Sequence, residues 1–355
     1  MPRFAAWLLS SSALAGCLFS VTVLANECPA LGKADLVCVA SPQGYFYASS
    51  QAGAQQMADA AREAAAIFEH DFSRPAPMGA IAEMGNDSKL SLTQERTLKD
   101  AGARWVFSWI SPSDKRKATE ASVRAQVEKQ LGAGADAALI DAAVAQAMLK
   151  ISGGAKSDTT TYSVLRHEIG HKLLIYAFPT SADTGDGGEH GYGGGLPDWM
   201  DETAAILMED EAMTTGRRDH LRQLLACGTT GQLWPLPEFL TMEHPMAQVT
   251  RKMKGGQFRM LVLTGDEAKE YGKAANFYTQ TRAFADFLTD MAGGDTTIWG
   301  GIAATLSTGK GMDAWLADEG ARHGLPGSLA GLGSAWQAWL RKIAATAPAC
   351  TTAAP

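Results

Sequence analysis

Residues 158–178, DTTTYSVLRHEIGHKLLIYAF, contain the pattern His-Glu-x-x-His between apolar segments. We predict a single helix here, because Asp158 or one of the threonines after it can cap the start and Pro179 ends it. In a helix, His167 and His171 are four positions apart and therefore project from the same face, one turn apart. The apolar flanks indicate that this helix is buried, and buried histidines need polar partners or a metal.

The spacing of the two histidines suits one metal ion. Imidazole nitrogens on successive turns can both reach a tetrahedral Zn²⁺ at about 2.0–2.1 Å. Glu168 lies beside His167 and can reach a zinc-bound water, for which it would be the general base and later the proton donor to the leaving group. Gly170 permits close packing of a neighbouring segment. The alternative interpretation is a pair of histidines on an amphipathic helix that binds no metal.

A third ligand is expected downstream. The chain lacks the glycine and the third histidine that extend this motif in metzincins. Residues 196–205, LPDWMDETAA, instead resemble the gluzincin superfamily, in particular its peptidase MA-like group, in which a second helix carries Pro-x-Trp-x-x-Glu-x-x-Ala. The resemblance implies that Glu202 is the third zinc ligand, 31 positions after His171. Asp198 and Asp201 are the rival carboxylates.

The segment from Phe277 to Leu288 adds to the resemblance. Many gluzincins carry a helical tyrosine about this far downstream, and its phenol donates a hydrogen bond to the oxyanion of the tetrahedral intermediate. The resemblance assigns that role to Tyr278, with Tyr271 as the fallback and a core tyrosine as the alternative; such a donor contributes on the order of 3 kcal/mol. Thermolysin-type enzymes orient one histidine with an aspartate where this chain has Ile206, so the residue that would do so here stays unassigned.

The first 25 residues predict export. Arg3 precedes an uncharged stretch that reaches Ala25, and residues 23–25 (VLA) suit signal peptidase, which places the mature N-terminus at Asn26. Two alternatives stay open. The segment LAGC ending at Cys17 fits a lipoprotein signal, and an uncleaved membrane anchor is the third reading.

Four cysteines remain after the predicted signal peptide. Four cysteines allow three pairings. We favour a short N-terminal bridge, Cys28–Cys38, and a second bridge, Cys227–Cys350, which ties the C-terminal tail to the body. Disulfides agree with an oxidising compartment, and free buried thiols are the alternative.

The composition excludes one broad class of function. The chain has 355 residues, 46% of them hydrophobic, and a net charge of −7, and nothing in the sequence resembles the basic footprint of a nucleic-acid-binding protein. Strands are predicted over 45–48, 78–84 and 104–110, and helices over 52–68, 114–131 and 135–151 between and after them. From residue 158 onward the pattern is mainly helical, with one helix expected over 198–213.

These features predict an α+β, zincin-like fold that forms a single catalytic unit over 26–355. A small mixed sheet and the HExxH helix would form an N-terminal lobe, 26–178, and a mainly helical C-terminal lobe, 179–355, would supply Glu202 and Tyr278. One catalytic Zn²⁺ would lie between the lobes.

The predicted function is that of an exported zinc metallopeptidase acting on a peptide or protein, with membrane attachment only if Cys17 is lipidated. The alternatives are a non-catalytic zincin-fold binding protein or surface lipoprotein, and a zinc hydrolase acting on a non-peptide amide or ester.

Overall fold

A computed structural model describes residues 27–85, 89–110, 112–132, 134–152, 158–181, 194–247 and 266–350. The predicted signal peptide, with Cys17, lies outside the described residues. The architecture is α+β: a small mixed sheet near the N-terminus is followed by a mainly helical remainder.

The sheet has four strands in the order β1-β2-β3-β4. They are β1 (Val37–Ser41), β2 (Gly44–Ala48), β3 (Gly79–Met84) and β4 (Trp105–Ile110). The first two form an antiparallel hairpin, and the other pairings are parallel. Helix α1 (Gln51–Phe72) connects β2 to β3, and α2 (Leu92–Asp100) connects β3 to β4, since parallel neighbours need such crossovers.

Both faces of the sheet are covered by helices. Successive side chains of a strand point to opposite faces, and Phe46 of β2 belongs to the main core with Phe68 of α1 and Leu165. Its neighbours Tyr45 and Tyr47 belong to a second cluster that includes Leu98 of α2. This two-sided burial explains why β2 is buried at every position.

Two elements of this part, strand β1 and helix α2, were not predicted from the sequence. Strand β1 is a short, half-buried edge strand, so it lacks the run of large apolar residues that marked the others. Helix α2 buries only Leu98, so it shows no apolar periodicity. Its start is defined instead by a capping box, in which Ser91 and Gln94 satisfy each other's backbone N–H groups.

The other helices follow in chain order. They are α3 (Pro112–Leu131), α4 (Ala137–Ser152), α5 (Asp158–Ala177), α6 (Asp198–Leu207), α7 (Glu211–Ala226), α8 (Leu236–Phe239), α9 (Asp266–Met291), α10 (Ile298–Ser307), α11 (Met312–Glu319) and α12 (Leu329–Ala345). Helices α3 and α4 pack against each other as a hairpin. Helix α5, which carries the HExxH motif, packs against α1 and α6. One apolar core joins residues from both predicted lobes, including Phe68, Phe178, Trp199 and Phe284.

The single helix predicted over 198–213 was wrong. Helix α6 ends at Leu207, and α7 begins at Glu211 after an N-cap at Asp210. The carboxylate of Asp210 accepts the backbone N–H of Met213 at 2.9 Å, which satisfies a donor that the new helix leaves unpaired. This break places Glu209 next to His167.

Both predicted disulfides are confirmed: Cys28 is bonded to Cys38, and Cys227 to Cys350. The second bridge closes a separation of 123 residues and attaches the chain after α12 to the end of α7. Bridges of this kind persist in oxidising compartments. Among the helices that the structure describes, none combines the length and the apolar character needed to cross a membrane.

Candidate metal centre

The site lies where α5 crosses α6. At Gly170 the two backbones are so close that a Cβ atom would stand 2.7 Å from Ala205 Cα and 2.8 Å from the Ala204 carbonyl oxygen. Glycine is therefore required for this approach, as the sequence predicted. The contact brings the face of α5 with the two histidines against the first turns of α6.

The structure brings the three predicted ligands together. His167, His171 and Glu202 each offer a donor atom within 4.8 Å of the others. His167 Nε2 lies 3.5 Å from Glu202 Oε2, and His171 Nε2 lies 4.0 Å from Glu202 Oε1. Ligands about 2.05 Å from a tetrahedral zinc are separated by roughly 3.3 Å, so a small closure would bring these atoms to coordination distance.

Each histidine is held from behind by a carboxylate. His167 Nδ1 lies 2.8 Å from Glu209 Oε1, and His171 Nδ1 lies 2.9 Å from Asp201 Oδ2. A carboxylate at Nδ1 keeps the proton on that nitrogen and leaves the Nε2 lone pair directed at the ligand cluster. The imidazoles are therefore in the tautomer that binds a metal through Nε2.

The carboxylate of Glu209 is in turn fixed by an arginine. Arg217 Nε donates to Glu209 Oε2 at 2.6 Å, and Arg217 Nη2 donates to Oε1. Burial by itself raises the pKa of Glu209, but the hydrogen bonds from Arg217 and His167 outweigh burial and hold that pKa below its usual range. Glu209 therefore stays ionised and able to accept the Nδ1 proton of His167.

The break between α6 and α7 positions Glu209. Ser163 of α5 accepts the backbone N–H of Asp210 at its hydroxyl oxygen, at 2.8 Å, and thereby fixes the corner against α5. If the helix continued through this corner, the position of Glu209 relative to His167 would change. Local capping chemistry at Asp210 thus determines the geometry of a buried contact.

Glu202 is the strongest indication that the cluster could hold a cation. Its side chain is fully buried, and neither carboxylate oxygen accepts a hydrogen bond from the residues that the structure describes. Burying a carboxylate without such donors lowers the stability of the fold, on the order of several kcal/mol, unless a positive charge compensates it. The donor set of two imidazoles and one carboxylate is typical of catalytic zinc, with the fourth position left for water or substrate.

The electrostatics of the cluster favour added positive charge. Burial by itself lowers the pKa of His171, but Asp201 and Glu202 outweigh it and raise that pKa to about 10. Burial raises the pKa of Glu202 to about 7, although the two histidines oppose this. Both raised pKa values indicate an excess of negative charge in this buried group, which a divalent cation would neutralise.

Tyr278 of α9 lies at the same site. Its ring is 6.1 Å from the His167 ring and 5.2 Å from the His244 ring, between centroids, and the Arg217 guanidinium lies over it at 4.8 Å. Glu168 is half-buried on α5 next to His167. The catalytic roles of Glu168 and Tyr278 stay predictions.

Several residues of the site were not foreseen. Asp201 and Asp198 were considered only as rival ligands, whereas Asp201 holds His171 and Asp198 Oδ2 accepts the backbone N–H of His244 at 2.5 Å. Glu209, three residues beyond Ile206, was not considered, and its carboxylate contacts His167 Nδ1. A search for acidic residues near Glu202 would have found it, but nothing in the sequence indicated His244.

Comparison with known proteins finds no match. No family model matches the chain, and neither a curated protein nor a solved structure is significantly similar to it.

Proposed function

We propose that this chain is an exported, zinc-dependent metallopeptidase of zincin-like fold. The observation that carries the proposal is the buried carboxylate of Glu202, which faces the Nε2 atoms of His167 and His171. The two disulfides support export, since bridges of this kind are rare in reducing compartments. The unmatched comparisons mean that the proposal depends on the chemistry of the site.

The protein residues have separate roles in this proposal. His167, His171 and Glu202 would hold one Zn²⁺, which when bound polarises a carbonyl and makes water more acidic. Glu168 would take a proton from the attacking water and deliver it to the leaving amine. Tyr278 would donate a hydrogen bond to the oxyanion of the tetrahedral intermediate. Glu209 and Asp201 keep the two imidazoles in place.

The first experiment measures metal content and peptide cleavage together. The purified mature chain is expected to contain about one zinc per molecule, as three protein ligands require, and to cleave peptides in a mixed pool analysed by mass spectrometry. Glu168→Gln is expected to keep the zinc and to lose at least about 100-fold in rate, because general base catalysis contributes that much. Glu128→Gln, on the exposed face of α3, is the matched control and should behave as the parent.

Each outcome separates the hypotheses. A purified chain without stoichiometric zinc would refute the metal site. Zinc with cleavage of model esters or amides, but not of peptides, would favour the non-peptide hydrolase. Zinc with no hydrolysis of either class would favour a binding protein. Equal rates for the parent and Glu168→Gln would refute the role of that residue.

A further inference from the structure

His244 is fully buried and lies beside the three proposed ligands. The proposed mechanism does not use this histidine. Its Nε2 atom lies 3.5 Å from Glu202 Oε1. Its ring packs against Phe277 at 4.8 Å and Tyr278 at 5.2 Å between centroids, and Asp198 accepts its backbone N–H. Backbone and ring are therefore both fixed, so the direction in which Nε2 points is fixed as well.

The other ring nitrogen of His244 determines which tautomer is present. His244 Nδ1 accepts the backbone N–H of Met246 at 3.1 Å, in a helical turn that begins at Pro245. The imidazole thus acts as an N-cap, with proline at the first helical position. An accepting Nδ1 carries no proton, and a neutral imidazole has one, so the proton is on Nε2.

A protonated Nε2 has consequences for the metal site. That nitrogen has no free lone pair, so it donates a hydrogen bond and does not bind a metal. His167 and His171 have the opposite arrangement, since a carboxylate faces Nδ1 in each and Nε2 is the nitrogen that faces Glu202. The three histidines around Glu202 are thus divided into two ligands and one donor by what faces their Nδ1 atoms.

We infer that His244 is a positioning residue that donates its Nε2–H to Glu202 Oε1 and so makes Glu202 bind the metal through Oε2 alone. Oε2 is the oxygen that lies 3.5 Å from His167 Nε2. The His244–Glu202 separation is at the long end for a hydrogen bond, and we expect it to shorten when Oε2 moves toward a cation. The inference rests on the proposed metal site.

This role would preserve catalytic capacity. A carboxylate that binds through both oxygens occupies two coordination positions, and His244 as a fourth protein ligand would close the site as in structural zinc centres. With His244 as a donor, neither occurs, and one position stays open for water or substrate. The turn at Pro245 therefore influences the coordination number of the metal, because it fixes the tautomer of His244.

Two substitutions separate the two functions of the His244 ring. In His244→Asn, the side-chain oxygen can accept the Met246 N–H in place of Nδ1, but the side chain is too short to reach Glu202. In His244→Gln, the amide N–H can take the place of Nε2–H, while the cap is lost. Zinc affinity is measured by competition with a chromogenic chelator, and the stability of the metal-free chain by thermal unfolding.

We expect His244→Asn to lose about 10–100-fold in zinc affinity, the usual effect of removing a group that orients a ligand. Its metal-free stability should stay close to that of the parent. His244→Gln should recover most of the zinc affinity while being less stable without metal. If His244 were only a structural residue, affinity and stability would fall together in both variants, and that result would overturn the inference.

Spectroscopy provides an independent readout. The visible absorption of the Co²⁺-substituted chain should be intense in the parent and in His244→Gln, as for a four-coordinate ion. It should weaken in His244→Asn, where Glu202 is free to bind through both oxygens. Long-range ¹H–¹⁵N correlation spectra of the zinc-loaded parent should show the His244 proton on Nε2.

Coordination of zinc by His244 would overturn the inference, and so would an unchanged spectrum and affinity in His244→Asn. A parent chain that binds no zinc would instead refute the proposed function, so the two failures are distinguishable.

Discussion

Helices α4 and α5 are neighbours in sequence but differ in burial, and therefore in how much free energy is lost when a polar side chain has no partner. Helix α5 places Leu165, Ile169 and Leu174 in the core, each at most 1% exposed. Helix α4 leaves Leu139 and Leu149 exposed by 55% and 75%. Water can hydrate the charged side chains of the α3–α4 hairpin, whereas each buried histidine of α5 requires a protein partner. The carboxylates on and after α6 meet this requirement.

The ion pairs of the two regions show the same difference. Arg217 and Glu209 have side chains that are 16% and 0% exposed, and Glu209 also contacts His167. Arg124 and Asp141, which join α3 to α4, are 40% and 63% exposed. Removing one member of a buried pair leaves an uncompensated charge, but removing one member of an exposed pair leaves a hydrated one.

The largest effect is therefore expected at Arg217. Arg217→Met should destabilise the metal-free chain by about 3–5 kcal/mol at neutral pH, because Glu209 would remain charged and buried. Arg124→Met, the matched change in the hairpin, should cost at most about 1 kcal/mol. Urea unfolding of both variants in the presence of a chelator measures the difference. Equal losses would show that the two pairs do not differ in solvation as the structure indicates.

A pair of leucine substitutions tests apolar packing in the same two regions. Leu165→Ala in α5 should cost about 2–5 kcal/mol, since it removes buried methyl groups and leaves a cavity. Leu139→Ala in α4 should change stability by no more than about 0.5 kcal/mol, because the side chain is largely exposed and the two residues have similar helix propensities. The midpoints of urea unfolding give both values. A large loss at Leu139 would indicate that a partner surface covers the hairpin.

Two glycine-to-alanine substitutions should change the stability of the chain in opposite directions. Gly170→Ala should destabilise the chain by about 1–3 kcal/mol, because its Cβ would collide with the backbone of α6. Gly216→Ala, on the exposed side of α7 with nothing within 4 Å of the added Cβ, should stabilise it by about 0.5–1 kcal/mol. Thermal unfolding should shift in opposite directions for the two variants, and a shift in the same direction would contradict the close crossing of α5 and α6.

The smallest effect is a pH dependence at Asp286 of α9. Burial by itself raises the pKa of Asp286, but hydrogen bonds from Arg218 and Arg282 outweigh it and lower that pKa below its ordinary value. The stabilisation is thus fully present above the unfolded pKa of about 3.9 and is lost as pH falls through the lower folded pKa. Asp286→Asn should be less stable than the parent at pH 7, and the gap should narrow in acid. Melting temperatures from neutral pH down to about 2.5 measure this, and a constant gap would contradict it.

Parts of the fold were predictable because their signals are local. Strand β2 and helix α5 have strong apolar patterns, and the histidines of α5 face one way because a helix repeats every 3.6 residues. The division of 198–213 into two helices was missed because Asp210 competes with an otherwise continuous helical pattern. Whether a helix breaks at such an N-cap depends on contacts that stabilise the break. Here the contact comes from Ser163 of another helix.

The sequence by itself determined three of the strands, helix α5 and the pairing of His167 with His171, since these depend on short spacings and on residue type. Glu202 came from a resemblance, and the two disulfides were the favoured one of three possible pairings. Only the tertiary structure decided which carboxylate holds each histidine, and that Arg217 and His244 belong to the site. Those contacts join residues from different helices and turns, and their energies arise from burial. No spacing along the chain encodes the loss of water that makes them necessary.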